Sequence, residues 1–297
     1  EGVALALGLA LRQSELDART GALCAVDEAI RNVVASGGDP HRTAILDNFC
    51  WGDCRKPDRL GTLVQAAQAC HDAALAYGTP FVSGKDSLNN EYRVDGVERP
   101  IPPTLLITAL AHVADCARTV GTPLRSNGNL LIQIGRTRAA SGGAVASDLL
   151  GLPDSEPAAP DLESAPSVFD ALHRAIQHGL VEACHDLSDG GLIAAAAEMM
   201  IGSSGLGAHL DPMRAPADAS QGMLSRLFSE CPTRFLVEVA PVHLEAFALL
   251  FRTLPWATIG EVTADGHLSV RGAQGAVLRL SRAALASASG VPAATAP

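Results

Sequence analysis

Short apolar runs of strand length alternate with stretches of helical periodicity along almost the whole chain, and this alternation restricts the fold more than any single motif. Residues 2–9 form an apolar run that reads as a strand already under way, and residue 1 is Glu. That beginning suggests a piece of a longer polypeptide. Leu23, Val26, Ile30, Val33 and Val34 recur near helical spacing and predict a helix over 21–36, stopped by Gly37, Gly38, Asp39 and Pro40. A strand over 43–46 ends in Asp47 and Asn48, a helix follows over 60–77, and a strand stub over 81–83 runs into Gly84, Lys85, Asp86 and Ser87. Residues 104–113 read as a long apolar strand. A Gly/Pro-rich break over 119–128 precedes a sheet restart at 130–134. Residues 151–166 read as an exposed loop, 167–179 as a helix, and 191–201 as a very Ala-rich helix. A strand over 234–239, a helix over 242–253 and two short strands within 257–271 complete the pattern. The expected class is α/β (α+β). It has an N-terminal domain over 1–120, with its first strand truncated, a C-terminal domain over 121–284, and a disordered Ala/Ser/Gly/Pro tail over 285–297.

Composition narrows the partners. Hydrophobic residues make up 47% of the chain, enough for a sizeable core. The net charge is −10, and no Lys/Arg cluster is present to neutralise a run of phosphates, which argues against nucleic acid. A local positive pocket on an acidic protein still suits a small anion. Seven scattered cysteines, an odd number, argue against a disulfide framework and for a reducing compartment. No apolar run approaches the roughly 20 residues that span a bilayer, and no signal peptide is visible, so the expectation is a cytoplasmic protein with no membrane partner.

Several segments are able to carry chemistry. Glu28 and Asn32 stand four residues apart, which places a carboxylate and an amide on one helix face. That suits a hard cation, and equally a solvated face. Asp47 and Asn48 follow a strand directly, where α/β proteins place ligands and where turns also occur. Cys50 and Cys54 lack two further donors for zinc, so Cys50 reads as a small pocket-lining residue. Gly84 to Ser87 lacks the frame of a P-loop, but Lys85 beside Gly and Ser suits phosphate as well as a solvated turn. His185, Asp186, Leu187, Ser188, Asp189, Gly190 and Gly191 pack two carboxylates, a hydroxyl and two glycines before a helix. Such a turn admits close approach of an anion to a helix N-terminus, and Asp189 also suits an N-cap. Ser141, Gly142 and Gly143 offer another place for close approach to phosphate. Of nine histidines only His185 lies in a polar cluster, and the others, such as His112, read as structural.

Five motifs occur in one order: Glu-Ala-Ile-Arg-Asn (28–32), Leu-Asp-Asn-Phe (46–49), Gly-Thr-Pro-Phe-Val-Ser-Gly-Lys-Asp-Ser-Leu-Asn-Asn-Glu (78–91), His-Asp-Leu-Ser-Asp-Gly-Gly-Leu (185–192) and Phe-Ser-Glu-Cys-Pro-Thr-Arg-Phe-Leu-Val-Glu-Val (228–239). The set resembles the second synthetase repeat of the phosphoribosylformylglycinamidine synthases, within the aminoimidazole ribonucleotide synthetase-like superfamily. The resemblance implies a sheet domain that pairs with a sister repeat, then a C-terminal α/β domain. It implies ATP- and Mg²⁺-dependent conversion of formylglycinamide ribonucleotide to its amidine in purine biosynthesis, with ammonia from a glutaminase domain or subunit. ATP activates the amide oxygen as an iminophosphate, ammonia adds and phosphate leaves. By motif, Glu28, Asn32, Asn48 and Asp186 resemble Mg²⁺ ligands. Asp47, Lys85 and Ser188 resemble contacts to ATP or ADP, and Cys50 falls at a substrate contact. The catalytic His belongs to the first repeat, so no catalytic residue is assigned here and the fragment alone is expected to be inactive. Pairing of two such chains as a homodimer is a further expectation. Two other readings remain open. One is a non-catalytic nucleotide-binding or structural half of that enzyme. The other is a different superfamily member, such as a selenophosphate synthetase or thiamine-monophosphate kinase.

Overall fold

The computed structural model describes residues 1–139, 142–151, 155–219, 221–272 and 275–290. They fall into two compact units: Glu1–Val34, Gly38–Cys116 and Ala140–Asp170 make one, and Ala35–Gly37, Ala117–Ala139 and Ala171–Pro297 the other. The stretch after residue 140 thus groups with the first unit, which a single cut near residue 120 does not anticipate. The reason is packing. The Cys24 thiol donates to the Ala158 carbonyl at 3.3 Å, and Arg12 pairs with Asp148 at 3.0 Å. Ala158 and Pro160 are buried, so this part of the expected exposed loop is a packed strap.

The first unit contains β1 (Gly2–Leu9), α1 (Leu11–Leu16), α2 (Ala18–Ala35), β2 (Thr43–Cys50), α3 (Pro57–Tyr77), β3 (Phe81–Ser87), β4 (Glu91–Val94), β5 (Val97–Pro100), β6 (Thr104–Val113) and α4 (Val145–Leu150). α5 (Ala165–Gln177) begins in this unit and ends in the next. Its main sheet has the order β1-β6-β2-β3, antiparallel except for the β2–β3 pair. β4 and β5 form a separate hairpin around Asp95 and Gly96, both with positive φ, as a tight two-residue turn requires. Side chains alternate across the sheet. Leu105, Ile107, Ala109, Ala111 and Val113 of β6 are buried, while Val3, Leu5, Leu7 and Leu9 of β1 and Leu110 of β6 stand exposed on the other face. In β1 the inward positions are Gly2, Ala4, Ala6 and Gly8. These small residues admit α2 so closely that a Cβ on Gly8 would lie 2.0 Å from the Ala25 carbonyl oxygen.

The second unit contains β7 (Leu130–Ile134), β8 (Ala183–Asp186), α6 (Gly191–Ile201), β9 (Gly207–Leu210), α7 (Met223–Phe228), β10 (Phe235–Val239), α8 (Leu244–Leu250), β11 (Trp256–Thr263), β12 (His267–Gly272), β13 (Gly275–Ser281) and α9 (Arg282–Ala288). Its seven-stranded sheet runs β13-β12-β9-β11-β7-β10-β8, and within it only the β9–β12 pair is parallel. The Ala-rich α6 lies on one face. Leu192, Ala195, Ala196, Met199 and Met200 pack against Leu131, Leu236, Ile259, Val262 and Leu268. Each large apolar side chain buried there contributes about 1.5–3 kcal/mol. The expected disordered tail is helical as far as residue 288. Ser281 caps α9 through Ala284 N at 3.2 Å, Arg282 donates to the Ile201 carbonyl, and Ala286 is buried. Residues 291–297 lie outside the described residues. No described helix is long and apolar enough to cross a membrane, and all seven cysteines are free thiols.

Candidate functional site

In the first unit the polar residues form two separate groups. Glu28 and Asn32, on successive turns of α2, both address the free edge of β1. Leu9 N–H donates to Glu28 Oε2 at 2.7 Å, and Asn32 Nδ2 donates to the Leu7 carbonyl at 3.3 Å. β1 is an edge strand, so these backbone groups need partners from outside the sheet. The second group sits on β2 and β3. Leu9 pairs with Leu106, Leu106 with Asn48, and Asn48 with Lys85. Asn48 is therefore two strand spacings, or about 10 Å, from the edge that Glu28 caps. The structure brings Glu28 to Asn32, and Asn48 to Lys85 and Cys50, while Asp47 lies on the other face of the same two strands. It does not join the two groups in direct contact.

Within the second group the pleat divides the residues. Asp47 faces Gly84, where an added Cβ would lie 2.4 Å from Asp47 Oδ1. Burial, followed by repulsion from the Asp86 carboxylate, pushes the Asp47 pKa up. Asn48, Cys50, Lys85 and Ser87 occupy the alternate face, where Lys85 Nζ donates to Ser87 Oγ and the Cys50 thiol donates to Asn48 Oδ1 at 3.5 Å. Carboxylates thus gather on one face, and an ammonium, an amide and a thiol on the other. Gly84 to Ser87, expected as a phosphate-holding turn, is strand throughout. Gly84 serves the packing of Asp47.

In the second unit His185 and Asp186 are the last residues of β8, rather than part of the turn that follows it. Ser188 Oγ donates to Asp186 Oδ2. His185 donates from Nδ1 to the Asp186 carbonyl at 2.7 Å and from Nε2 to Glu198 Oε2 on α6 at 2.8 Å. Burial alone would lower the His185 pKa, but the hydrogen bonds to Asp186 and Glu198 outweigh it and hold the ring charged, with the pKa raised to about 10. The turn is braced by the segment that precedes β10. Gly190 N–H donates to Glu230 Oε1 at 2.8 Å, and Leu187 N–H to the Arg234 carbonyl at 2.9 Å. The cap of α6 is Gly190, without a side-chain bond, so Asp189 does not fill the expected capping role. Gly191 has φ +66°, and a Cβ there would lie 2.5 Å from the Ser229 carbonyl oxygen. Sequence reasoning missed Glu198, Glu230 and Arg234 as supports. The 228–239 motif held the signal for two of them.

Two further expectations resolve differently. Ser141 lies outside the described residues, and the close approach at Gly142 is to the chain's own backbone, where a Cβ would meet the Ser155 carbonyl oxygen at 1.9 Å. Among the described residues no three His, Cys, Asp or Glu side chains gather in a metal-holding group, Cys50 and Cys54 included.

Two successive mixed helix–sheet units, with polar side chains set at strand ends and at a glycine turn before a helix, define a two-domain α/β protein. The chain belongs to the AIR synthase related proteins: the family's N-terminal domain matches residues 1–113 and its C-terminal domain residues 126–273. Among solved structures, Thermotoga maritima PurL complexed with FGAR matches with a TM-score of 0.77 at 22% identity, over 96% of this chain and 46% of that one. The phosphoribosylformylglycinamidine synthase II of the same organism matches with a TM-score of 0.78 at 22% identity, over 96% and 44%. The HypE–HypF complex matches with a TM-score of 0.69 at 14% identity, over 94% and 89%. At these identities the likeness is one of fold. The chain spans less than half the length of the PurL chains.

Proposed function

We propose that this chain is the second-repeat half of an ATP-dependent formylglycinamide ribonucleotide amidotransferase, with a nucleotide site that includes Asp186 and Ser188. The observation that carries this reading is the turn over 186–191. It joins a carboxylate and a hydroxyl, is braced from Glu230 and Arg234, and opens into the N-terminus of α6. A helix N-terminus favours phosphate, and here the Gly190 N–H is held by the Glu230 carboxylate, which a phosphate would have to displace. Solved PurL structures are described as complexed with ATP and with ADP, and a HypE structure as complexed with ATP. HypE shares the fold over most of its own length, so fold alone does not choose between the two lines. The Asp-Asn-Phe-Cys-Trp-Gly run at 47–52 and the Phe-Ser-Glu-Cys-Pro segment at 228–232 favour the amidotransferase.

On this reading Glu28, Asn32, Asn48 and Asp186 supply hard oxygen donors, the class that suits Mg²⁺. Phosphate oxygens and further residues would have to finish the coordination. When bound, Mg²⁺ neutralises phosphate charge during transfer. Lys85 would supply charge to the nucleotide and Cys50, on the same face, would line the substrate side; Asp47, on the opposite face, would contribute only if the nucleotide reached around the strand end. Ammonia would come from a glutaminase domain or subunit. The exposed Val3, Leu5, Leu7 and Leu9 stripe suits pairing with the first synthetase repeat, or with a second copy when that repeat is absent.

Calorimetric titration of ADP with Mg²⁺ into the chain tests the core of this reading. Asp186→Ala is expected to weaken binding at least about tenfold, roughly 1.4 kcal/mol. Equal, tight binding by both proteins would remove Asp186 from the site. The isolated chain is expected to form no amidine from formylglycinamide ribonucleotide, ATP and ammonia.

A further inference from the structure

We propose that the Glu230 carboxylate is a movable plug at the start of α6, an autoinhibitory contact that closes this helix end to small free anions and yields only to a ligand that the rest of the site also holds. The inference rests on the reading of the 186–191 turn as a nucleotide site and adds a gate to it.

The first N–H groups of a helix have no partner within it, and with the helix dipole they attract negative charge. Many helices meet this need locally, through the side chain of a Ser, Thr, Asp or Asn at the N-cap. The N-cap of α6 is Gly190, which has no side chain to offer. Gly191 N–H turns back to the Ser188 carbonyl at 2.9 Å. Gly190 N–H is met from 40 residues away, by Glu230 Oε1 at 2.8 Å. A side chain of the ligand's own sign thus stands against the helix start, where a bound phosphate oxygen would accept the same proton.

The backbone that carries Glu230 is fixed on both sides. The buried Arg234 guanidinium donates to the carbonyls of Ser229 and Cys231, the two residues that flank it. Cys231 N–H donates to Ser229 Oγ at 3.3 Å, and the Ser229 carbonyl lies so close to Gly191 that an added Cβ would be 2.5 Å from it. Ser229 and Cys231 are buried, whereas Glu230 between them is half-buried. The loop therefore stays at the helix start whether or not the carboxylate is bound to Gly190, and rotation of one side chain is enough to withdraw the charge toward solvent. A tie between the turn and the segment before β10 does not need that charge, because Leu187 N–H already donates to the Arg234 carbonyl at 2.9 Å. What the charge adds is discrimination. A free anion that gains only the helix end cannot outcompete a tethered carboxylate, while a ligand held at Ser188 as well can.

The test is an isothermal titration of pyrophosphate, without metal, into the full chain and into Glu230→Gln. Glutamine keeps the side-chain length and an oxygen able to accept from Gly190 N–H, and removes only the charge. Loss of one charge beside a polyanion is expected to tighten pyrophosphate binding at least about fivefold. A purely bracing carboxylate predicts equal or weaker binding in Glu230→Gln, and that result would overturn the proposal. Binding below detection at about 10 mM in both proteins would overturn it too. A second readout needs no variant: the Gly190 amide resonance of the wild type should move as pyrophosphate binds, and a resonance that stays in place while ligand binds counts against the plug. ADP with Mg²⁺, titrated into the wild type and Asp186→Ala, separates the gate from the reading beneath it. If Glu230→Gln gains pyrophosphate affinity while ADP binds equally to those two proteins, the gate stands and the nucleotide reading falls. If ADP binding depends on Asp186 and Glu230→Gln gains nothing, the gate falls and the reading stands.

Discussion

Replacing Arg234 with Ala is expected to cost the second unit about 3–5 kcal/mol, from three lost hydrogen bonds to a charged donor and the cavity left behind. Arg234 is fully buried at the start of β10. Its guanidinium donates to the Cys231 carbonyl and to Thr137 Oγ1, each at 3.0 Å, and to the Ser229 carbonyl. Truncation would strip those acceptors of a donor where water is scarce and leave a cavity behind. Lysine would not replace it, since one ammonium cannot span three separated oxygens in the fixed geometry of a guanidinium fork. With a slope of about 2 kcal/mol per molar urea, the midpoint of the second unit's transition should fall by about 1.5–2.5 M. A midpoint shift below about 0.5 M would mean that the guanidinium does not hold this region together. The effect should also reach the nucleotide turn, because the Arg234 carbonyl accepts from Leu187 N and residue 229 contacts Gly191. Amide exchange at Leu187 and Gly190 should therefore accelerate in Arg234→Ala more than exchange at Leu131, which lies in the centre of the same sheet.

The same network marks where reading the sequence stops. β6, β7 and α6 have the bounds that the apolar runs and the Ala-rich periodicity predict. Local pattern decides such elements, and long-range packing only confirms them. β9 is different. It has only four residues and gains its identity from β11 on one side and β12 on the other, which no local window contains. The β4–β5 hairpin did carry a local signal, Asp95–Gly96 between Val94 and Val97, and was legible in principle. At the candidate site, residue types were legible and directions were not. Asp47 and Asn48 are adjacent in sequence, yet the pleat of β2 sends them to opposite faces. Asp186 stood out by its motif. Glu198, Glu230 and Arg234 brace its turn through contacts spanning up to 47 residues of sequence (234 − 187), and a one-dimensional reading gave them no role.

A single methyl group at Gly8 is expected to destabilise the first unit strongly. The Cβ that Gly8→Ala adds would lie 2.0 Å from the Ala25 carbonyl oxygen and 2.6 Å from Ala29 N, both backbone atoms of α2. Backbone in the middle of a helix cannot move aside as a side chain can, so β1 and α2 would have to separate. Overpacking of this kind costs about 1–3 kcal/mol even where side chains absorb it, and here it should reach about 3 kcal/mol or more. Separation would also pull Glu28 from Leu9 N–H and Asn32 from the Leu7 carbonyl. Gly8→Ala should therefore lose Mg²⁺-dependent ADP affinity as well as stability, if Glu28 and Asn32 serve the metal as proposed. Gly61→Ala is the control. Gly61 lies inside α3 with nothing within 4 Å of an added Cβ, so alanine should stabilise the chain by about 0.5–1 kcal/mol. Thermal melts of both variants decide the matter: opposite shifts are expected, and a Gly8→Ala protein that melts with the wild type would show that α2 does not need this contact with β1.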